Sequence, residues 1–115
     1  LFKFVTIYRR VDDQDALEDF FSSTHLPLAE KLPNLVKSEV SRVVGKPGGE
    51  SRFHLMYELY FESQDVFYKA LGSDPGRELM AQLKRWSEAL LITWFYAQSW
   101  EEDAGQALPD RDAES

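Results

Sequence analysis

The sequence predicts an α+β domain of the ferredoxin-like type, βαββαβ, in which a four-stranded antiparallel sheet carries its helices on one face. Three observations lead there. The chain has 115 residues, which suits one domain and excludes two full ones. Its apolar residues switch between alternation of period two and recurrence every three to four positions. The resulting segments run strand, helix, strand, strand, helix, strand, with a turn-rich connection between the two middle strands.

Residues 2–10 are dense in β-branched and aromatic types and read as the first strand. Asp12 and Asp13 offer caps for a helix with an acidic first turn, and Ala16, Leu17, Phe20, Phe21 and Thr24 share one of its faces. Pro27 lacks an amide hydrogen and crowds the preceding turn, so this helix kinks or restarts around His25-Leu26-Pro27. Leu28 and Leu32 resume the stripe, and Leu32-Pro33-Asn34 ends it. Strands follow over 35–44 and 52–62, joined by the turn formers of Gly45-Lys46-Pro47-Gly48-Gly49-Glu50-Ser51. Ser63 caps a short helix that buries Val66, Phe67, Ala70 and Leu71. Asp74 ahead of Pro75 reads as the cap and first turn of a further helix that buries Leu79, Met80, Leu83 and Trp86. Leu90 to Ala97 form the last strand.

The net charge of -7 sits mostly at one end: residues 1–100 carry 12 basic and 14 acidic groups, and residues 101–115 carry one Arg and six acids. The expected division is therefore a folded domain over 1–100 and an acidic tail over 101–115. The tail is read as a solvated extension, or one whose Leu108 and Pro109 dock on a neighbouring subunit. Such a charge balance repels polyphosphate, so nucleic acid is not expected as a partner. No apolar run approaches the ~20 residues of a membrane helix and no export signal is recognisable, which makes the expected protein soluble, unexported and cytoplasmic. Because the sequence opens on Leu1 without Met, a residue or more is expected to precede it. Without cysteine, a disulfide framework, a thiolate nucleophile and Cys-held zinc or iron–sulfur are excluded. The glycines match no phosphate-cradling loop.

Sixteen aromatic residues are more than one helix-covered sheet face of this size readily buries, so the open face is expected to pair with a second copy. Alternation along the first strand separates Phe4, Thr6, Tyr8 and Arg10 from Val5 and Ile7, and the aliphatic pair is assigned to the helices. Tyr8 and Arg10 then share the open face with Glu39, His54 and Glu58, a mixture that reads as a cavity lining. A one-residue bulge would reverse any of these assignments. His25, held at a backbone break, is the first candidate for proton transfer, the alternative being a cap on the broken turn. Glu39 and Glu58 are either an acid/base pair or salt-bridge partners of Arg10 and Arg42. Tyr8, Trp94 and Tyr96 either stack on a flat ligand or belong to the core. His25 and His54 have no short ligand spacing, and no metal site is assigned.

The string Ile7-Tyr8-Arg9-Arg10, the acid-rich helix ending Phe20-Phe21, then His25-Leu26-Pro27-Leu28-Ala29 and Leu32-Pro33-Asn34-Leu35, resembles the EthD family of the dimeric α+β barrel superfamily. The resemblance runs over roughly residues 2–99, and its most specific part is H-x-P-L followed by L-P-x-L. It implies a homodimer whose sheets close into a barrel, with a pocket between sheet and helices in each subunit. EthD-like proteins are named for a role in degrading a fuel ether. Their superfamily includes cofactor-free monooxygenases, polyketide cyclases, lactone isomerases and haem-degrading enzymes. The histidine of H-x-P-L falls on His25. Asn34 stands where many relatives have Gly, a replacement that left-handed backbone tolerates.

The functional expectation is a homodimer that binds or transforms a small hydrophobic or aromatic molecule. His25 is its acid/base, Tyr8 orients a substrate oxygen, and Arg10, Glu39, His54, Glu58 and Trp94 contact the substrate. No cofactor is called for. The alternatives are a non-catalytic ligand-binding or structural dimer, and a haem- or oxygen-using monooxygenase.

Overall fold

In the computed structural model, which describes residues 1–103, the elements are β1 (Phe2–Arg9), α1 (Gln14–Phe20), a π-helical turn (Phe21–His25), α2 (Leu26–Glu30), β2 (Lys37–Arg42), β3 (Phe53–Phe61), α3 (Gln64–Leu71), α4 (Asp74–Glu88) and β4 (Ile92–Gln98). The sheet is antiparallel with strand order β2-β3-β1-β4, the ferredoxin-like βαββαβ arrangement expected. The acidic tail from residue 104 onward lies outside the described residues. Among those described, no helix is long and apolar enough to cross a membrane.

Local chemistry explains the element ends. The Asp13 carboxylate accepts from the Ala16 amide at the start of α1, and the Ser63 hydroxyl does the same for Val66 at the start of α3. The cap of α4 is Ser73, whose hydroxyl accepts from Gly76, and Asp74 occupies the first helical position just ahead of Pro75. That moves the start by one residue from the sequence reading. Pro27 does not end the first helical arm: the chain passes from α1 through the π-helical turn into α2, and the extra backbone residue gives room to the proline ring. Asn34 adopts φ 63°, the left-handed conformation anticipated for it. Gly76 is required by packing, since a Cβ there would lie 2.2 Å from the Ala70 carbonyl oxygen where α3 meets α4.

The core lies between the sheet and the helices. Phe2 and Phe4 pack on Phe67 of α3, with ring centroids 5.2 and 5.4 Å apart, and Tyr8 packs on Phe20 and Phe21. Leu55, Tyr57, Leu59 and Phe61 of β3 join them, with Leu79 and Leu83 of α4. The β1 face assignment made from sequence is therefore inverted. Phe4, Thr6 and Tyr8 face the helices, while Val5 and Ile7 lie on the opposite face, in register with Glu58 and Met56. Both sets alternate equally well, and the larger rings occupy the face with the deeper cover. Val5 is nevertheless buried, flanked by Glu58 and Phe95 on the adjoining strands. Strand β2 is exposed along its whole length and forms one edge of the sheet.

Candidate functional site

The first helical arm lays His25 over the middle of the sheet, directly on Tyr8. The Tyr8 hydroxyl is 2.5 Å from Nδ1 of His25, the two rings stack with a 16° interplanar angle, and both side chains are fully buried. The π-helical turn sets this geometry, because one added residue rotates His25 inward alongside Phe21. His25 makes no side-chain cap of the broken turn, so the capping alternative does not describe it. Tyr57 of β3 closes the third side, its ring edge-on to His25 at 4.9 Å and to Phe21 at 5.1 Å.

Electrostatics keeps the group neutral. Burial pushes the His25 pKa down to about 3, so the imidazole is uncharged at neutral pH. Burial also raises the Tyr8 phenol, with smaller contributions from Tyr57 and Glu18, so Tyr8 keeps its proton. Burial raises the Tyr57 phenol as well, against an opposing pull from Ser38. A Tyr8 hydroxyl that donates to Nδ1 leaves the ring proton on Nε2. That Nε2 is buried without a hydrogen-bond partner, and so is the Tyr57 hydroxyl, Ser38 lying nearby but outside hydrogen-bonding geometry. Two polar atoms on adjacent rings are thus left unpaired in an otherwise aromatic surround.

The remaining residues singled out from the sequence do not join this pair. His54 was expected on the open face, but β3 carries an irregularity opposite Tyr8 and Arg9, where Arg9 aligns with Phe53 and His54 is the residue left over. The extra residue turns His54 toward α1, where its Nε2 lies 2.5 Å from the Glu18 carboxylate. Arg42 completes that cluster with two bonds to Glu18, of 2.8 and 3.1 Å. The Arg42 bonds, ahead of the His54 contact, hold Glu18 down to about 2 despite partial burial. Arg42 therefore serves Glu18 and not Glu39 or Glu58.

Glu39 and Glu58 do face each other across β2 and β3 on the open side, as the alternation required. Tyr60 donates to Glu39 at 2.5 Å and reaches Glu58 at 3.4 Å, and Lys3 pairs with Glu58 at 2.5 Å. The cation of Glu58 is thus Lys3, not Arg10. The bond to Glu39 is the main reason the Tyr60 phenol is raised. Arg10 lies just past the end of β1, where its guanidinium donates to the Ser51 and Val43 carbonyls. It is off the open face to which it was assigned. Trp94 is half-buried on the helix side, edge-on to Phe4 at 6.4 Å. The cavity lining expected on the open face is thus divided: Tyr8 and His54 belong to the helix side, and Glu39 and Glu58 stay. Tyr57, Glu18 and Tyr60 carry polar chemistry the sequence reading passed over. For Tyr57 the sequence holds a signal: it alternates with Phe53, Leu55, Leu59 and Phe61, and its hydroxyl is the one polar group of that set. Among the described residues no three His, Asp or Glu side chains group as metal ligands.

This fold and buried pair define the class: a small α+β protein built to cover a sheet-bound tyrosine with a helix-borne histidine. No protein-family profile matches the sequence. A solved EthD family protein from Bacillus halodurans is 31% identical, with a TM-score of 0.75 over 86% of this chain and 98% of that one. The chain belongs to the EthD family. A curated relative from Rhodococcus erythropolis, an uncharacterised 11.0 kDa protein of the thcB-thcC intergenic region, is 23% identical over 83 residues, 72% of this chain and 81% of that protein. More distant structures share the fold alone. SnoaB, a cofactor-independent oxygenase from Streptomyces nogalater, is 15% identical with a TM-score of 0.60 over 90% of this chain and 95% of that one. A dimeric protein of unknown function from Bacteroides fragilis is 16% identical with a TM-score of 0.57 over 85% and 95%.

Proposed function

We propose that the protein is a homodimer that holds a small, largely hydrophobic molecule against the Tyr8–His25–Tyr57 group and polarises an oxygen of that molecule. The observation that carries this reading is the pair of unpartnered buried atoms, Nε2 of His25 and the Tyr57 hydroxyl, on rings 4.9 Å apart. Each such atom costs ~1–3 kcal/mol when left unpaired, and a carbonyl or hydroxyl oxygen of a ligand satisfies both. The surrounding Phe20, Phe21 and Tyr8 rings supply the apolar contact an aromatic molecule needs.

In this reading His25 acts on the oxygen as a neutral N–H donor, with Tyr8 fixing its tautomer through Nδ1. Full transfer of the Nε2 proton would leave a buried imidazolate, and taking a proton as base requires the opposite tautomer and creates an imidazolium; burial opposes both charged forms. The chemistry favoured is therefore stabilisation of a developing oxyanion, as in enolisation or attack on a carbonyl. The cofactor-independent oxygenase of the same fold lends this reading analogy only.

Dimerisation is supported by the open sheet face, where Val5, Ile7, Met56 and Phe95 surround the Lys3–Glu58–Tyr60–Glu39 network, and by the dimeric description of the Bacteroides fragilis protein. Native mass spectrometry tests both parts together. Twice the 13.3 kDa chain mass with a releasable small molecule supports them, and a monomer removes the dimer. For the site, a panel of aryl ketones and quinones is titrated while the backbone amide signals of the α1–α2 arm and of β3, present in every variant, are followed by NMR together with the wild-type His25 ring. Saturable shifts lost in His25→Ala and weakened in Tyr8→Phe are expected. Binding that leaves those signals unmoved, or that both variants retain unchanged, overturns the assignment.

A further inference from the structure

A cleft of about 890 Å³ opens at the end of the sheet, where the β1–α1 connection meets the hairpin joining β2 and β3. It is separate from the buried pair, since neither Tyr8 nor His25 lines it. Three cationic side chains do: Arg10, Lys46 and Arg52. Ordinarily cations at this density in an acidic protein are matched by carboxylates. Here the ion pairs among the described residues engage Lys3, Arg42, His54 and Arg77, and none engages these three.

Arg10 is also held in place. Its Nε donates to the Ser51 carbonyl at 3.0 Å and its Nη2 to the Val43 carbonyl at 3.4 Å, while its own amide donates to the Arg52 carbonyl at 2.7 Å. One edge of the guanidinium is thus spent on loop carbonyls, and three of its five N–H donors remain for another partner. Gln14, which also lines the cleft, is fixed by its Oε1, which accepts from Val11, and its amide nitrogen is buried with no partner. Lys46 is set by the hairpin tip, where it exchanges two backbone hydrogen bonds with Gly49 at 2.9 and 3.0 Å. A fixed fork, an unused amide donor and two further cations around one cleft form a receptor for a planar oxyanion.

We propose that this cleft binds the carboxylate of a small molecule, with Arg10 as the bidentate anchor, Gln14 as a further donor, and Lys46 and Arg52 supplying the field. Asp12 and Glu50 also line the cleft, which leaves three cations against two carboxylates. That balance suits a monoanion and works against a doubly charged phosphate. The proposal is independent of the reading of His25.

The test is an NMR titration that follows the side-chain signals of Arg10 and Gln14 in the full chain. Sodium acetate, sodium benzoate and inorganic phosphate are added separately at constant ionic strength. Saturable shifts with the carboxylates, at lower concentration than phosphate needs, are expected. Arg10→Lys, which keeps the charge and loses the fork, weakens carboxylate binding at least tenfold. Lys46→Gln combined with Arg52→Gln leaves the loop anchors of Arg10 in place and weakens binding several-fold, so it decides the matter if Arg10→Lys disturbs the loop. Shifts that never saturate, or that chloride reproduces, overturn the site. Tighter binding of phosphate overturns the monoanion assignment. Carboxylate binding that disappears in His25→Ala moves the ligand to the buried pair and overturns the proposal, whereas failure of the aryl ketone titration leaves it standing.

Discussion

The hydroxyl of Tyr8, on the central strand β1, and Nδ1 of His25, on the π-helical turn, are 2.5 Å apart and both buried. This bond ties the first helical arm to the central strand, so removing either partner strands the other. Tyr8→Phe leaves Nδ1 unpaired and is expected to cost ~1–3 kcal/mol in urea unfolding. Replacing both, as Tyr8→Phe with His25→Leu, removes the stranded atom and is expected to recover most of that loss. A double variant that regains stability but no longer binds an aryl ketone separates the structural part of the pair from its proposed function. One as unstable as the sum of the singles shows that the bond is not the coupling.

The same burial makes stability depend on acid. His25 has its pKa lowered from 6.5 to about 3 in the folded protein, so below pH 6.5 the unfolded chain takes up a proton that the folded one refuses. The unfolded state then binds more protons, and stability falls as the pH drops from 6.5 toward 3, by at most about 1.4 kcal/mol per pH unit. Chemical denaturation between pH 7 and 4.5 measures it, a window above the unfolded-state titration of Glu18. His25→Leu should flatten this limb. An unchanged slope in that variant means another group carries it.

Glu18 controls the next window. Its pKa is lowered from 4.5 to about 2, chiefly by the Arg42 hydrogen bond, so its contribution is present above pH 4.5 and lost as pH falls toward 2. The Arg42 side chain is 56% exposed, so solvent screening keeps this contribution to about 1 kcal/mol. Glu18→Gln is expected to cost that much at pH 7, to cost less in molar salt, and to remove the loss below pH 4.5. An equal cost at high and low salt would show that packing, not charge, joins α1 to β2 and β3.

How much of this was legible in the sequence follows from what alternation and periodicity encode. The element order and the Ser63 cap rest on local chemistry and appear where that chemistry put them, whereas at Pro27 the arm runs on through a π-helical turn. The face of β1 was not legible, because Phe4 and Tyr8 alternate with Val5 and Ile7 and neither set declares which side the helices cover. His54 was misplaced by a single extra residue in β3, a feature of pairing between strands that one strand's sequence does not carry. His25 was found through its proline neighbour. Its bond to Tyr8 was not, since it depends on the face of β1 and on a π-helical turn that supplies the needed rotation.

Gly76 gives a prediction about packing alone. A Cβ there would stand 2.2 Å from the Ala70 carbonyl oxygen and 2.7 Å from the Leu71 backbone, neither of which is a yielding side-chain end. Gly76→Ala improves helix propensity yet should destabilise by about 1–3 kcal/mol, because α3 and α4 must separate to admit the methyl. Thermal or urea unfolding checks the sign. A stabilised variant would show that the two helices part at little cost.

The end of α4 predicts the opposite outcome. Leu90 has φ 63° directly after the C-cap Ala89, its amide donates to the Ser87 carbonyl at 2.9 Å, and the Leu91 amide donates to the Trp86 carbonyl at 3.0 Å. That pair of bonds is a Schellman close, in which the left-handed position usually holds glycine. A leucine there bears ~1–2 kcal/mol of backbone strain, and with 74% of its surface exposed it recovers little by burial. Leu90→Gly is therefore expected to raise stability by about 1 kcal/mol, the gain in the folded state being reduced by the greater freedom of glycine in the unfolded chain. Leu90→Asn should lie between the two. If Leu90→Gly is instead the less stable protein, the exposed leucine is covered by something in solution, and a loss of the dimer on the same substitution would identify the cover as the second subunit.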